Sequence, residues 1–202
     1  MNIVKDFAAF RTSWFDKKYM YKLGGRYATF RVAFNLLAQM PNHIIVETGC
    51  QRMLEDWGAG CSTLLFADFI DHYGGHLTTI DISSFNMEVA KSVSEFAKDK
   101  ITYVIENSLT SLSKMNPPMS IDLLYLDSMD CPADNSDASE SQEHNLAELL
   151  SVEQLLHPGS IVMLDDQDFV NGGKPLLTND YMLNSGQYTL LMHCQQSLWI
   201  KK

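Results

Sequence analysis

Apolar, β-branched runs end in carboxylates at four places along the chain: residues 43–47 (His-Ile-Ile-Val-Glu), 76–81 (His-Leu-Thr-Thr-Ile-Asp), 121–127 (Ile-Asp-Leu-Leu-Tyr-Leu-Asp) and 160–166 (Ser-Ile-Val-Met-Leu-Asp-Asp). Runs of this kind, separated by helix-like segments, suit parallel strands buried on both faces. Strands are predicted at 43–48, 76–81, 100–106, 121–126 and 160–165. Helical spacing of Tyr27, Phe30, Phe34, Leu37 and Met40 predicts a helix over 26–40, stopped by Pro41. Further helices are predicted from about Ser62 to Tyr73, with Gly74-Gly75 as C-cap, and from Ser83 or Ser84 to about Lys98. Residues 108–118 read as a short helix or turn. A helix from about Gln142 to Leu156 ends at His157-Pro158-Gly159, which makes His157 a helix-terminal residue, and another covers 174–185. Two last β runs, 187–194 and 197–201, lie too close for a crossover and must pair as a hairpin. The expected fold class is α/β, with five strands alternating with helices before a terminal antiparallel hairpin.

In open α/β sheets, ligands bind outside the carboxyl ends of the strands. Acids released at that rim suggest a site for hydroxyls, a cation, or both. With 202 residues the chain can form one domain with a full core. Residues 1–25 read as an N-terminal extension that packs on the domain or covers its cleft, and 26–202 as the domain itself. Residues 128–141 form a polar, acidic loop long enough to be functional. The net charge of −10 argues against nucleic-acid binding, and the basic patch of Lys17, Lys18, Lys22, Arg26 and Arg31 reads as a solvated face. No apolar run approaches the roughly 20 residues of a membrane helix, and no signal peptide is apparent, so a cytoplasmic location is expected. The four cysteines, Cys50, Cys61, Cys131 and Cys194, form no close pair and read as reduced thiols.

The order and spacing of Val46-Glu47-Thr48-Gly49, Gly58-Ala59-Gly60-Cys61-Ser62-Thr63, Thr79-Ile80-Asp81, Tyr125-Leu126-Asp127 and Pro158-Gly159 with Leu164-Asp165-Asp166 resemble the class I S-adenosylmethionine (SAM) dependent methyltransferases. Within that class the chain is similar to the small O-methyltransferases of the catechol and macrocin type. The resemblance implies a three-layer, Rossmann-like methyltransferase fold over 26–202, with a seven-stranded, mostly parallel sheet. It also implies a SAM-dependent transferase acting on a hydroxyl of a small molecule, a sugar or natural product, with Mg²⁺ as a metal cofactor. Enzymes of this type often form homodimers. Residues 51–57 depart from the family pattern as an insertion before the glycine loop, which leaves open whether Gly58 or Gly60 makes the close backbone approach.

Gly49, Gly58 and Gly60 suit a tight turn beside a ligand, and Ser62 closes the motif they belong to. Asp81 can accept both ribose hydroxyls, or else cap the following helix. By resemblance, Glu47 lies near the methionine amino group of SAM, Asn107 and Ser108 near adenine, and Asp127 among the cofactor contacts. Three carboxylates at adjacent strand ends, Asp127, Asp165 and Asp166, would repel one another unless a hard cation relieved them. In catechol-type enzymes such acids hold Mg²⁺; the alternative is that Asp127 positions substrate and the Asp165-Asp166 pair caps a turn. Asp130 and Asp168 are spare ligands. Asp127, Lys174 and His144 are the catalytic candidates, His144 as general base and Lys174 as base or counter-ion. Trp57 either contacts SAM or packs on the domain. The competing functions are an NAD-dependent oxidoreductase on a Rossmann-like sheet, weakened by the lack of a compact Gly-x-Gly-x-x-Gly, and a non-catalytic SAM-binding module.

Overall fold

A computed structural model describes residues 14–58, 61–132 and 137–202. Among these residues one seven-stranded sheet forms from β1 (Ile44–Thr48), β2 (His76–Asp81), β3 (Ile101–Ile105), β4 (Ile121–Leu126), β5 (Leu156–Leu164), β6 (Tyr188–His193) and β7 (Ser197–Lys201). Its order is β3-β2-β1-β4-β5-β7-β6. The first five strands are parallel to their neighbours, and β7 is antiparallel to both β5 and β6. The expected terminal hairpin therefore forms, and its second strand inserts between β5 and β6.

Strand alternation divides the core into two. Ile45, Leu77, Leu123, Tyr125, Ile161, Met163 and Leu198 face a cluster with Phe15, Tyr19, Phe30, Phe34, Leu65, Phe66 and Phe69. Those aromatics come from α1 (Trp14–Tyr19), α2 (Tyr27–Leu37) and α3 (Ser62–Tyr73). Phe30 lies 5.7 Å from the Tyr125 ring in a tilted arrangement and Phe66 5.4 Å from it edge-on, aromatic contacts worth about 0.5–1.5 kcal/mol each beyond their burial. On the other face, Val46, Ile80, Leu124, Leu126, Val162, Leu164 and Trp199 pack with Leu112, Leu149, Val152 and Met182. These last come from α5 (Ser108–Leu112), α6 (Ser139–Val152) and α7 (Leu176–Ser185). The result is the expected three layers, with α4 (Ser84–Ser94) covering the sheet toward β3 through Met87, Ala90 and Tyr103. Of the expected N-terminal extension, residues 1–13 lie outside the described residues; Phe15, Tyr19 and Leu23 belong to the core.

Helix α2 ends at Leu37, short of the expected Met40, α4 gives way to a 3₁₀ turn after Ser94, and α6 begins at Ser139 rather than Gln142, but the largest difference from the sequence reading is the join of α6 to β5. The helix expected to reach Leu156 stops at Val152, a single 3₁₀ turn covers Glu153–Leu155, and β5 already begins at Leu156. His157-Pro158-Gly159 is thus not a helix terminus but an irregularity inside a strand. Leu156 pairs with Ile121 and Ile161 with Leu123, so extra residues bulge out between them. The Ser160 hydroxyl closes the bulge by accepting from His157 N at 2.9 Å and donating to Ile121 O at 2.7 Å. The His157 ring meets Asp122 at 3.1 Å across the bulge. No helix among the described residues is long and apolar enough to cross a membrane.

Candidate active site

The chain leaves β1 for β2 and β3 on one side, then returns to place β4 on the other side of β1. The crevice at such a reversal is where open α/β sheets take their ligands. Four strand-end acids share one face of the sheet beside it for one reason. Glu47 follows Ile45 by two residues, Asp81 follows Thr79, Asp127 follows Tyr125, and Asp165 follows Met163. The register aligns Glu47 with Thr79 and Tyr125, and Tyr125 with Met163. A period of two then sends all four carboxylates to the face covered by α2 and α3. The ladder continues past the strands: Gly49 N donates to Ile80 O at 2.9 Å, Asp127 N to Thr48 O at 2.9 Å, and Asp165 N to Leu126 O at 3.3 Å. These acids therefore stand on paired backbone.

Gly49 has φ +76°, and a Cβ there would lie 2.2 Å from Asp127 O. Its close approach is to the neighbouring strand end. Gly58 has no such neighbour; its carbonyl accepts from Arg26 at 2.6 Å. Gly60 lies outside the described residues. Glu47 is wholly buried, and its Oε2 accepts from Thr63 at 2.8 Å and Thr79 at 2.7 Å, while Oε1 has no partner among the described residues. Burial pushes its pKa up to about 7, against hydrogen bonds from Ser62, Thr79 and Thr63. Asp81 is fixed by Ser83 N at 2.7 Å on one oxygen and Cys50 N at 3.1 Å on the other.

Three adjoining cavities run along the rim. The first, about 230 Å³, is lined by Gly49, Asp81, Ile82, Asn107, Ser108, Ser128 and His144. The second, about 170 Å³, shares Gly49, Asp81 and Ser128 with it and adds Cys50, Ser62, Asn86 and Asp127. The third, about 410 Å³, shares Asp127, Arg52 and Asp130 with the second and adds Arg26, Gly58, Asp166, Asp168 and Phe169. Asn107 also caps α5, its side chain accepting from Thr110 N at 3.2 Å. His144 meets Ser108 at 2.9 Å and Glu148 at 3.4 Å; its hydrogen bond to Glu148 raises its pKa against the effect of burial. Trp57 packs on the N-terminal segment, 5.8 Å from the Tyr19 ring and under the Lys22 ammonium.

The third cavity rests on a buried charge cluster. Arg26 Nε donates to both oxygens of Asp165, at 3.0 and 2.9 Å. Tyr125 OH donates to Asp165 Oδ2, Gln196 Nε2 donates to the same oxygen at 3.3 Å, and Asp166 N donates to Oδ1 at 2.7 Å. Lys174 Nζ bridges Asp127 at 2.5 Å and Asp166 at 2.9 Å. Gly173, with φ +62°, passes so near Asp166 O that a Cβ would fall 1.8 Å from it, and this delivers Lys174 to its place. Burial works against the Lys174 charge, but Asp127, Asp166 and Asp165 outweigh it and raise its pKa. Burial raises the pKa of Asp127, against the pull of Lys174 and with Asp165 and Asp166 adding to the rise.

Arg26 corrects the sequence reading, which placed it on a solvated basic face; it is 5% exposed and central to the site. Arg26, Tyr125 and Gln196 were not singled out for the site. Tyr125, two residues before Asp127 in one strand, carried a signal for it. Arg26 and Gln196 come from a helix start and a hairpin turn remote in sequence, with no local signal.

A family profile described as a methyltransferase domain matches residues 56–167, more than half of the chain. No curated protein matches the sequence. Among solved structures, an O-methyltransferase from Bacillus cereus bound to S-adenosylhomocysteine is 16% identical, with a TM-score of 0.60 over 87% of this chain and 81% of that one. CalS11, a TDP-rhamnose 3′-O-methyltransferase of calicheamicin biosynthesis, is 16% identical, with a TM-score of 0.62 over 86% and 77%. An rRNA methylase from Streptococcus thermophilus is 9% identical, with a TM-score of 0.56 over 85% and 95%. These likenesses show the fold. Together with the strand order and the family match, they lead to one conclusion: the chain belongs to the methyltransferase-domain family and is a class I, SAM-dependent methyltransferase.

Proposed function

We propose that the protein transfers the SAM methyl group to a hydroxyl of a small polar molecule, a sugar or natural product, in the cytoplasm. The observation that carries this reading is Asp127, a carboxylate of raised pKa lying where the second and third cavities meet. In the reading, SAM occupies the first two cavities. Asn107, Ser108 and His144 surround adenine, Asp81 accepts the ribose hydroxyls, and Gly49, Ser62 and Asp127 surround the methionine end, whereas Glu47, wholly buried and lining none of the three cavities, is assigned there by resemblance alone. Gly58 borders the acceptor cavity instead, and Gly60 is assigned by resemblance alone. The acceptor enters the third cavity. Asp127 takes the hydroxyl proton as the oxygen attacks the methyl carbon, the C–S bond breaks, and S-adenosylhomocysteine leaves. A carboxylate whose pKa is raised above the usual range is a stronger proton acceptor, which suits a general base. Holding both reactants about 3–3.5 Å apart supplies several kcal/mol of the barrier.

The net charge of −10 supports an acceptor other than a nucleic acid, whose phosphate backbone calls for clustered cations. The expected Mg²⁺ does not fit the donor set. Both Asp165 oxygens accept from protein groups, and Lys174 bridges the other two carboxylates. Among the described residues, no group of three His, Cys, Asp or Glu side chains is arranged to hold a metal ion. A homodimer remains the expectation for an enzyme of this type.

Calorimetry with SAM, S-adenosylhomocysteine and NAD tests the reading. The two sulfur ligands should bind and NAD should not, and Asp81→Asn should weaken SAM by about 1–3 kcal/mol, the worth of a hydrogen bond to a charged group. Binding of NAD alone ends the proposal, and an unchanged SAM affinity in the variant ends the ribose role.

A further inference from the structure

We infer that Lys174 and Arg26 are built-in cations that replace a divalent metal at the acceptor end of the site. The inference rests on the methyltransferase reading for its meaning, but its geometry is independent of any ligand. Three carboxylates converge here: Asp127, Asp165 and Asp166. Such a group needs about two positive charges nearby to coexist in a buried place. A divalent ion would supply them and leave one net negative charge. Arg26 and Lys174 supply the same two charges and leave the same remainder.

The way they are held separates a fixed counter-ion from a chance surface pair. Lys174 is 1% exposed, and its ammonium sits at 2.5 Å from Asp127 and 2.9 Å from Asp166, where an ion shared between those two carboxylates would sit. Gly173 fixes the backbone that brings it in, since no side chain fits against Asp166 O at that point. Arg26 binds Asp165 through Nε and reaches Asp166 at 3.4 Å, and its other branch is tied to Gly58 O. Asp165, 0% exposed, has donors on both oxygens and no free edge for a metal. Asp127 and Asp166 keep 17% and 15% of their side chains open and both line the third cavity, so the remaining negative charge faces the acceptor.

A fixed ammonium and a metal ion act alike on a nearby hydroxyl: both stabilise the oxyanion form electrostatically. They differ in response to chelators, and in what happens when the ammonium is removed. The test is a Mn²⁺ titration of the full chain, followed by electron paramagnetic resonance, with S-adenosylhomocysteine affinity measured on the same samples. The wild type should show no saturable Mn²⁺ binding at millimolar concentration, and its S-adenosylhomocysteine affinity should not change after chelator treatment. Lys174→Met removes the charge and keeps the length; it should bind Mn²⁺ at least tenfold more tightly than the wild type, whereas Lys174→Arg should not. Saturable Mn²⁺ binding by the wild type that Asp166→Asn abolishes overturns the inference, and this arm needs no folded Lys174 variant. A folded Lys174→Met protein that gains no Mn²⁺ affinity also overturns it. Loss of S-adenosylhomocysteine binding by the wild type would instead strike the methyltransferase reading, leaving the metal result to stand by itself.

Discussion

Glu47 shows how one buried side chain carries a pH dependence. Its carboxyl has no access to solvent, and desolvation raises its pKa to about 7 even with three hydroxyls nearby. The folded state therefore holds its proton more tightly than the unfolded chain, whose carboxylate titrates near 4.3. The sign follows from linkage: stability from this proton is complete below the unfolded value, declines as pH rises, and is gone above about 7. Glu47→Gln keeps an acceptor for Thr63 and Thr79 and cannot ionise. The melting temperature of the wild type minus that of this variant should fall between pH 5 and pH 7 and level off above. A constant difference across that range would place the titration elsewhere. Residues of this kind were partly legible beforehand. An acid at a strand end is visible in the sequence; that Glu47 is sealed from water, while Asp127 two strand positions away keeps an opening, depends on what α3 covers.

Among the elements, β1 and β4 are joined beyond their ends by the contact of Gly49 with Asp127. A side chain at 49 must enter the Asp127 carbonyl and also adopt φ +76°. Gly49→Ala should cost on the order of 2–4 kcal/mol, from backbone strain plus overpacking, measured by urea unfolding. A loss below about 0.5 kcal/mol, the range of an ordinary surface substitution, would mean the two strand ends are not held together there. Most elements were readable in advance because buried parallel strands leave uninterrupted apolar runs; residues 76–81 and 121–126 and the helix Ser62–Tyr73 have the bounds expected for them. The join of α6 to β5 was not readable. His157-Pro158-Gly159 carries the local signals of a helix stop, and only the neighbouring strand, with Ile121 O accepting the Ser160 hydroxyl, turns those residues into a bulge.

At the scale of the whole molecule, Arg26 ties the helical N-terminal segment to the carboxyl end of β5 in the sheet interior. It stands before α2 and binds the carboxylate after β5, 139 residues on, while Gln196 from the β6–β7 turn reaches the same carboxylate. Removing either partner leaves the other buried charge uncompensated, at about 3–5 kcal/mol. Arg26→Ala and Asp165→Ala should each lose stability on that scale. The double variant should lose clearly less than the two added together, by at least about 1 kcal/mol in denaturant unfolding. Strict additivity would show that the pair does not act as a unit.

The sequence by itself determined the alternation of strands and helices, the terminal hairpin, the carboxylates at the strand ends and the family they resemble. These are local properties, written in periodicity and in the residue that closes each run. Tertiary structure decided which face those carboxylates share, because that follows from the register between strands. It also decided their charge balance. Arg26, Lys174 and Gln196 reach the site from three separate segments, and a cation's partner is set by distance in space, which separation along the chain does not encode.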